Sequence, residues 1–181
     1  FQISEILLKE DEAFCIKKRF VNEIPMDTDM VCLCNPNNPT GQLIDREVLE
    51  QVADYCQKTD TCLLLDECFH DFLEAGSVHT LLPRVKENPK LFVLRAFTKM
   101  YGMAGLRLGY GICSDMELIR RMEQVTQPWN VSVPAQAAGI AAAREQEFVA
   151  VSRQMITEQK KLLLAGLEAA GAKVYGSAAN Y

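Results

Sequence analysis

Short apolar runs that alternate with helical patterns constrain the fold of this chain more than any other feature. The runs at 30–34, 61–65 and 90–94 are almost entirely apolar, which is typical of strands buried on both faces of a sheet. Between the first two runs, the spacing predicts an amphipathic helix over about 45–58, with an apolar face formed by Val48, Leu49, Val52, Ala53 and Cys56. Buried strands joined through helices predict an α/β layer structure with a mainly parallel sheet.

Later segments extend this pattern. A fourth strand is predicted over 106–113, antiparallel or at a sheet edge because its glycines weaken it. The capping box Ser114-Asp115-Met116-Glu117 predicts the start of a helix over about 115–125. Alanine-rich helices are predicted over 134–144 and 145–170, and Gly171 is expected to end the second one.

Both ends of the sequence resemble interior parts of a longer protein. Residues 1–8 look like an extended segment, and 172–175 look like the start of a strand close to the last residue, Tyr181. We therefore expect the chain to be a fragment that is truncated at both ends.

Composition excludes several classes of function. The 181 residues, 49% hydrophobic and 24% charged, are ordinary for a folded globular domain. A net charge of -5 without a basic patch argues against nucleic acid or an anionic membrane as a partner. No apolar run reaches the roughly 18 to 20 residues of a membrane span and no signal segment is recognised, so a cytoplasmic location is expected.

The seven cysteines are odd in number and lack CxxC spacing. Several fall inside apolar strand-like runs, so we expect buried free thiols in a reducing compartment. The two histidines, His70 and His79, are far from the Cys32-Leu33-Cys34 pair, and no metal site is expected.

Polar residues follow each of the three predicted parallel strands. Asn38 lies in the turn at 35–41, Asp66 follows the second strand, and Thr98 and Lys99 follow the third. In α/β sheets, ligands bind beyond the carboxyl ends of the strands. An amide, a carboxylate and an amine are therefore expected to converge on one edge of the sheet.

These groups suit different atoms of pyridoxal 5'-phosphate. Lys99 leaves an apolar strand for a glycine-rich turn, where partial desolvation would favour the neutral amine that forms a Schiff base with an aldehyde. Asp66 would pair with the pyridine nitrogen and keep it protonated. Asn38 would donate to the phenolate oxygen, and Arg107 with the Thr98 hydroxyl would neutralise the phosphate.

Each of these residues also has a plainer interpretation when taken alone. The proline- and glycine-containing segment at 35–41 is a turn whatever its function, and Asp66 would serve equally as a helix cap or a metal ligand. Lys99 alone would be a solvated loop residue, and Arg107 alone a surface ion pair. The glycines between 102 and 111 do not match the dinucleotide pattern G-x-G-x-x-G.

Three motifs together carry a family resemblance. Asn-Asn-Pro-Thr-Gly at 37–41, Leu-Asp-Glu-x-Phe at 65–69 and Thr-Lys-x-x-Gly-x-x-Gly-x-Arg-x-Gly at 98–109 resemble the class I and II aminotransferases, which share the aspartate aminotransferase fold. The resemblance extends from about residue 7 to the end. It implies the three-layer large domain of pyridoxal-phosphate-dependent transferases, with a mainly parallel sheet flanked by helices. It also implies Lys99 as the Schiff-base lysine, with Asp66, Asn38, Thr98 and Arg107 in the cofactor roles given above.

Within this family the chain is most similar to the histidinol-phosphate aminotransferase branch and its relative, threonine-phosphate decarboxylase of cobalamin biosynthesis. Phe69 stands where most members carry a tyrosine that reaches the ring oxygen, and this departure together with the segment at 128–132 points toward the decarboxylase-like group. Ala96 stands where many members have a serine or threonine that contacts the phosphate. Both departures remove a hydroxyl near the cofactor, so its electronic tuning is expected to differ from that in most members while its binding is retained.

The resemblance implies an aminotransferase acting on a small amino acid, phosphorylated or not, and a keto acid. A threonine-phosphate decarboxylase is the alternative, and a non-catalytic domain that binds the cofactor or regulates is an alternative of another class. Residues 1–171 would be a partial large domain and 172–181 the start of the small one. Because family members are about twice as long, we expect the chain alone to bind the cofactor weakly, and the full-length protein to be a homodimer.

Overall fold

Four strands form one sheet whose order follows the sequence. The computed structural model describes residues 2–73 and 76–181, and within them the sheet order is β1 (Met30–Cys34), β2 (Cys62–Asp66), β3 (Leu91–Ala96) and β4 (Gly109–Ile112). The first three strands are parallel, and β4 pairs antiparallel with β3 at the edge. The predicted α/β architecture, mainly parallel sheet and antiparallel edge strand are therefore confirmed.

Two strand boundaries differ from the predicted ones, because pairing with a neighbouring strand and local turns set them rather than the apolar pattern. Strand β3 continues through Arg95 and Ala96 because these residues pair with Tyr110 and Gly109 of β4. The fourth strand begins at Gly109 rather than at residue 106. A 3-10 turn at Ala104–Leu106 and the left-handed backbone of Arg107, with φ 56°, stop the extended conformation there.

One α-helix precedes β1, one connects β1 to β2, and three follow β4 in the described part of the chain. Their bounds are α1 (Arg19–Glu23), α2 (Arg46–Lys58), α3 (Met116–Val125), α4 (Val133–Ala142) and α5 (Gln146–Ala169). The carboxylate of Asp45 caps α2 by accepting from the Glu47 amide at 2.9 Å. The predicted apolar face of α2 is the buried one, which confirms the helix.

The core lies between this face of α2 and the parallel strands. Leu49, Val52, Leu63, Leu65 and Val93 are all fully buried in one hydrophobic cluster. Because side chains alternate across a strand, Leu63 and Leu65 share the face of β2 that packs on the cluster.

Several local expectations were wrong. Helix α3 is capped by Asp115, whose carboxylate accepts from the Glu117 and Leu118 amides at 2.9 and 3.0 Å, rather than by Ser114. Residues 172–175 form no strand. This segment is held through side chains instead, since Lys173 pairs with Glu10. Gly171, at φ 80°, follows α5 as expected.

The cysteines are free, as expected, but most are not fully buried. Among the seven, Cys56 is buried, Cys32 is exposed and the others are half-buried. The expectation of uniformly buried thiols is wrong because β1 exposes its alternate face, on which Cys32 lies. In the part of the chain that the structure describes, no helix combines the length and the apolar character that a membrane crossing requires.

Candidate functional site

The carboxyl ends of the three parallel strands lie level with one another. Cys34 is the partner of Asp66 across β1 and β2, and Asp66 is the partner of Leu94 across β2 and β3. The ladder continues one step further, because the Asn35 amide donates to the Asp66 carbonyl at 2.9 Å and the Glu67 amide to the Leu94 carbonyl at 3.0 Å. The segments that follow the strands therefore leave the sheet along one edge.

A tight turn follows β1 and presents Asn38. The turn is closed by the Gly41 amide, which donates to the Asn37 carbonyl at 2.7 Å, and by the Asn37 side chain, which donates to the Thr40 hydroxyl at 2.8 Å. Gly41 has φ 67°, a conformation that suits glycine. Asn38 is exposed on this turn, where its amide is free to meet a ligand.

The carboxylate of Asp66 ends β2 and is half-buried. One carboxylate oxygen accepts from the Cys68 amide at 2.8 Å. Burial raises the pKa of the Cys68 thiol to about 12, and the hydrogen bond from that thiol to Asp66 adds to the rise. Asp66 is thus held in a fixed orientation by its own backbone turn.

Lys99 lies in the segment that follows β3, and its ammonium is 5.2 Å from the centre of the Phe69 ring. Phe69 follows Asp66 by three residues, so this contact links the ends of β2 and β3. The residue as a whole is exposed, which corrects the expected partial desolvation. Beyond the ring of Phe69, little of the described chain covers the amine.

Thr98 and Arg107 lie on neighbouring segments at the same edge. The Phe97 amide donates to the Leu108 carbonyl at 3.1 Å, which draws together the chain after β3 and the chain before β4. Thr98 is half-buried and Arg107 is exposed. The Arg107 guanidinium donates to the Ala104 carbonyl at 2.9 Å. Among the described residues it forms no ion pair, so most of its donors are available to an anion.

Tyr181 is a site residue that sequence reasoning missed. Its ring packs edge-on against Phe69 at 5.0 Å between centres, and its hydroxyl donates to the Asn37 carbonyl at 3.1 Å. Tyr181 therefore connects two parts of the site: the turn that carries Asn38, and Phe69, whose ring contacts the Lys99 ammonium. No local motif marks this tyrosine, because its contacts lie more than a hundred residues away along the chain.

A buried ion pair of Glu67 and Arg95 was also missed. Arg95 donates from two guanidinium nitrogens to one carboxylate oxygen of Glu67, at 2.9 and 2.6 Å. Charged side chains are almost never fully buried unless they are paired. An arginine directly after the apolar run at 91–94 could therefore have predicted an acidic partner at the end of a neighbouring strand.

The donor set along this edge fits pyridoxal 5'-phosphate. It offers a carboxylate for a protonated ring nitrogen, an amide for the phenolate oxygen, a primary amine for the aldehyde, and a hydroxyl and a guanidinium for the phosphate. A methyl group at Gly102 or Gly105 would meet nothing within 4 Å, so there is open space beside the segment that carries Lys99. The site is an open edge. A cavity of about 580 Å³ lies elsewhere, between β4 and α3, against Phe92 and Met122.

Comparison with known proteins identifies the family to which the chain belongs. The family model for aminotransferase class I and II matches residues 7–181. Threonine-phosphate decarboxylase of Salmonella typhimurium is 36% identical over 154 residues, which are 84% of this chain and 41% of that protein. Histidinol-phosphate aminotransferase of Shouchella clausii is 36% identical over 180 residues, 99% of this chain and 48% of that protein.

Solved structures show the same fold. The histidinol-phosphate aminotransferase of Clostridium acetobutylicum superposes with a TM-score of 0.86 at 29% identity, covering 93% of this chain and 51% of that one. A double mutant of Thermus thermophilus aspartate aminotransferase gives a TM-score of 0.81 at 30% identity, covering 93% and 46%. The chain thus spans about half the length of the proteins it matches, and it belongs to the class I and II aminotransferase family.

Proposed function

We propose that this chain is the cofactor-binding part of a pyridoxal-phosphate-dependent aminotransferase that acts on a small amino acid, phosphorylated or not, and a keto acid. The observation that carries the proposal is the common edge: three neighbouring parallel strands end level, and an amide, a carboxylate and an amine follow them. When bound, the cofactor supplies an aldehyde that takes up amines and a ring that accepts electrons from the substrate α carbon.

Lys99 is assigned to hold the cofactor through a Schiff base and then to move protons as a general acid and base. Its primary amine would hold the aldehyde group of the cofactor covalently. Because Lys99 is exposed, a substrate could reach the attached cofactor, and the lysine amine would accept and return a proton at the substrate α carbon.

Asp66 is assigned to the ring nitrogen, because its carboxylate is fixed by the Cys68 amide and offers a negative charge at the edge. Asn38 is assigned to the phenolate oxygen. Thr98 and Arg107 are assigned to the phosphate, for which the guanidinium supplies parallel donors. Phe69 supplies a ring without a hydroxyl, so Asn38 stands without the second donor to the phenolate oxygen that a tyrosine would provide.

The full-length protein is proposed to contain two domains and to act as a homodimer. Residues 1–171 are assigned to the large domain and 172–181 to the start of the small one. The chain spans less than half of several curated relatives, so the groups that orient the substrate are expected outside it. For the same reason we expect the 181-residue chain alone to bind the cofactor weakly and turn over slowly. The free cysteines support a reducing, cytoplasmic location.

Absorption spectroscopy of the full-length protein tests the role of Lys99. Titration with pyridoxal 5'-phosphate is expected to give the visible band of a lysine-bound cofactor in the unaltered protein and in the control Lys86→Ala, which removes an exposed lysine. The band should be lost in Lys99→Ala. Equal spectra from all three proteins would contradict the assignment.

A decarboxylase is the second candidate, favoured by Phe69 and by the similarity to the Salmonella typhimurium threonine-phosphate decarboxylase. The two reactions differ in which bond of the substrate α carbon lies perpendicular to the ring. Incubation of the full-length protein with threonine phosphate separates them. Carbon dioxide release without keto acid would favour the decarboxylase, and keto acid without gas would remove it. Cofactor binding with neither product, across amino-acid substrates, would favour a non-catalytic domain.

A further inference from the structure

We infer that a buried polar layer beneath the strand ends positions Asp66 and Lys99 for the cofactor, an inference that rests on the proposed function. The layer consists of Asn35, Glu67, Thr80 and Arg95, which are 0, 1, 6 and 9% exposed. These residues are positioning residues: they are assigned no contact with the cofactor and act through the backbone.

Glu67 is the centre of the layer. One of its carboxylate oxygens accepts from Arg95 twice, at 2.9 and 2.6 Å, and from the Thr80 hydroxyl at 2.8 Å. The other oxygen accepts from the Leu81 amide at 3.1 Å. Both oxygens of this buried carboxylate are therefore satisfied, as a buried charge requires.

Arg95 extends the layer to β3 and toward the surface. Besides Glu67, its guanidinium donates to the Thr80 hydroxyl at 3.2 Å and to the Asp71 carboxylate at 3.4 Å. The Asp71 carbonyl in turn accepts from Arg153 of α5 at 2.5 Å. The planar guanidinium thus ties β3 to the segments that follow β2.

Asn35 closes the layer at β1. Its side chain donates to the His79 carbonyl at 2.8 Å and accepts from the Ile44 amide at 3.0 Å. The short segment 79–81 is therefore bonded to residues at or next to the ends of three strands: to β1 through Asn35, to β2 through Glu67 and to β3 through Arg95. Through these bonds, segment 79–81 sets the spacing between the three strand ends.

Each member on a strand end is close in sequence to a residue assigned to the cofactor. Glu67 directly follows Asp66, and Arg95 precedes Lys99 by four residues. Successive side chains of an extended segment point to opposite faces. Because the Glu67 side chain points into the protein, the side chain of Asp66 before it points toward the edge where the ligand would bind. Arg95 fixes the end of β3, and with it the start of the segment that carries Lys99.

The need to position Asp66 and Lys99 explains why this buried layer consists of polar residues rather than apolar ones. Well-packed apolar residues of similar volume commonly stabilise a protein as well as a buried ion pair does. Directional hydrogen bonds, in contrast, hold neighbouring groups within the narrow tolerance that a cofactor site needs. At metal sites, removal of a residue that hydrogen-bonds to a ligand side chain typically weakens metal affinity or activity by about 10-fold to 100-fold, and we expect an effect at the lower end of that range here.

The test compares Glu67→Gln with Glu12→Gln in the full-length protein. Glu12 is half-buried and accepts from the Arg19 guanidinium at 2.7 to 3.0 Å. Arg19 otherwise bonds to the Leu7 carbonyl and to Glu23, so Glu12→Gln controls for the loss of a carboxylate–arginine contact outside the layer. We expect Glu67→Gln to weaken pyridoxal phosphate binding by about tenfold and to change the visible circular dichroism of the bound cofactor. Glu12→Gln should lower the melting temperature alone. Wild-type affinity and dichroism in Glu67→Gln would overturn the inference.

Two further measurements keep the inference testable on its own. If Glu67→Gln does not fold, Thr80→Val removes only the hydroxyl that joins Glu67 to Arg95, and it should weaken binding by a few-fold; unchanged binding would overturn the inference. In cofactor-free protein, amide hydrogen exchange over 66–69 and 96–101 should be faster in Glu67→Gln than in Glu12→Gln. Equal exchange would overturn the positioning role, whereas failure of the unaltered protein to bind the cofactor would overturn the proposed function instead.

Discussion

At the scale of single residues, the environment of Asp66 is defined by Cys68 as much as by the strand that carries it. The Cys68 amide and thiol both donate hydrogen bonds to the Asp66 carboxylate. Burial, together with the hydrogen bond from the thiol, raises the pKa of the Cys68 thiol to about 12. Since only the thiolate is reactive, the thiol beside the cofactor edge is expected to be nearly inert at neutral pH.

This environment predicts the order of cysteine alkylation. A thiol with a raised pKa stays protonated as the pH rises past 9 and ionises only as the pH approaches 12, so the reaction of Cys68 with iodoacetamide should accelerate over that window. Cys32 is exposed and should react first at pH 8. Peptide mass spectrometry at pH 8 and pH 10 measures both rates. Equal rates for Cys32 and Cys68 at pH 8 would contradict the described burial of Cys68.

The positions of the residues assigned to the cofactor were predictable because each lies at or shortly after the end of an apolar strand. Asp66, Asn38 and Lys99 lie at the common edge that the order of the motifs implied, although Lys99 is exposed rather than partly desolvated. Tyr181 was not predictable, since its position depends on how the segment after α5 returns to the turn at Asn37. Local patterns carry no information on a contact of that range.

At the scale of elements, the turn after β1 and the segment 175–181 form one unit. The Ala178 amide donates to the Gly41 carbonyl at 2.7 Å, and the Gln42 side chain donates to the Gly176 carbonyl at 2.6 Å. Lys160 of α5 donates to the Ser177 and Ala179 carbonyls. The segment thereby places Tyr181 beside Phe69.

Substitution of Gly41 is expected to break this unit. A β carbon at Gly41 would lie 1.9 Å from the Ser177 hydroxyl oxygen, and φ 67° is unfavourable for alanine. Gly41→Ala should therefore lower the free energy of unfolding by about 1 to 3 kcal/mol and speed proteolysis within 175–181. Gly105→Ala is the matched control, because its β carbon meets nothing within 4 Å. Urea unfolding and limited proteolysis measure both, and similar behaviour of the two variants would be inconsistent with this packing.

The core beneath the sheet predicts a second pair of variants. Leu49 of α2 is fully buried against the strands, whereas Leu163 of α5 is 58% exposed. Leu49→Ala should cost about 2 to 5 kcal/mol, and Leu163→Ala should stay within about 0.5 kcal/mol of the unaltered chain. Equal destabilisation in denaturant titrations would contradict the assignment of α2 to the core.

Elements with strong local signals were predicted well, and their ends less so. The five apolar residues of α2 repeat at helical spacing, and all five are buried. The start of β4 was missed because the left-handed conformation of Arg107 is a tertiary feature. The strand expected at 172–175 is absent, since that segment meets Glu10 and Gln42 through side chains and single carbonyls rather than a neighbouring strand.

At the scale of the whole molecule, many apolar side chains are exposed on the last three helices and on the segment that joins α3 to α4. Val125 and Trp129 are 84 and 95% exposed, and Val149 is the buried residue of α5 among those described. Apolar patches of this kind mark contacts with other chain segments or subunits. They agree with the proposal that the full-length protein is longer and dimeric.

Trp129, the one tryptophan in the sequence, reports on that surface. In the 181-residue chain we expect its fluorescence to be quenched by acrylamide about as efficiently as free tryptophan, because the side chain is exposed. In the full-length protein, the fluorescence of Trp129 is the part of the emission that Trp129→Phe removes. Acrylamide should quench this part much less efficiently than it quenches Trp129 in the 181-residue chain. Equal quenching in both would contradict the proposed covering of this surface.

We propose that three strand ends bring Asn38, Asp66 and Lys99 to one molecule of pyridoxal 5'-phosphate. Borohydride reduction of the full-length protein after addition of the cofactor, followed by peptide mass spectrometry, tests this arrangement, because reduction makes a lysine attachment permanent. We predict one stoichiometric adduct, on Lys99, that is greatly reduced in Asp66→Ala but not in Asp27→Ala, which removes an exposed carboxylate far from the strand ends in sequence. An adduct spread over exposed lysines, or one that does not depend on Asp66, would contradict the proposal.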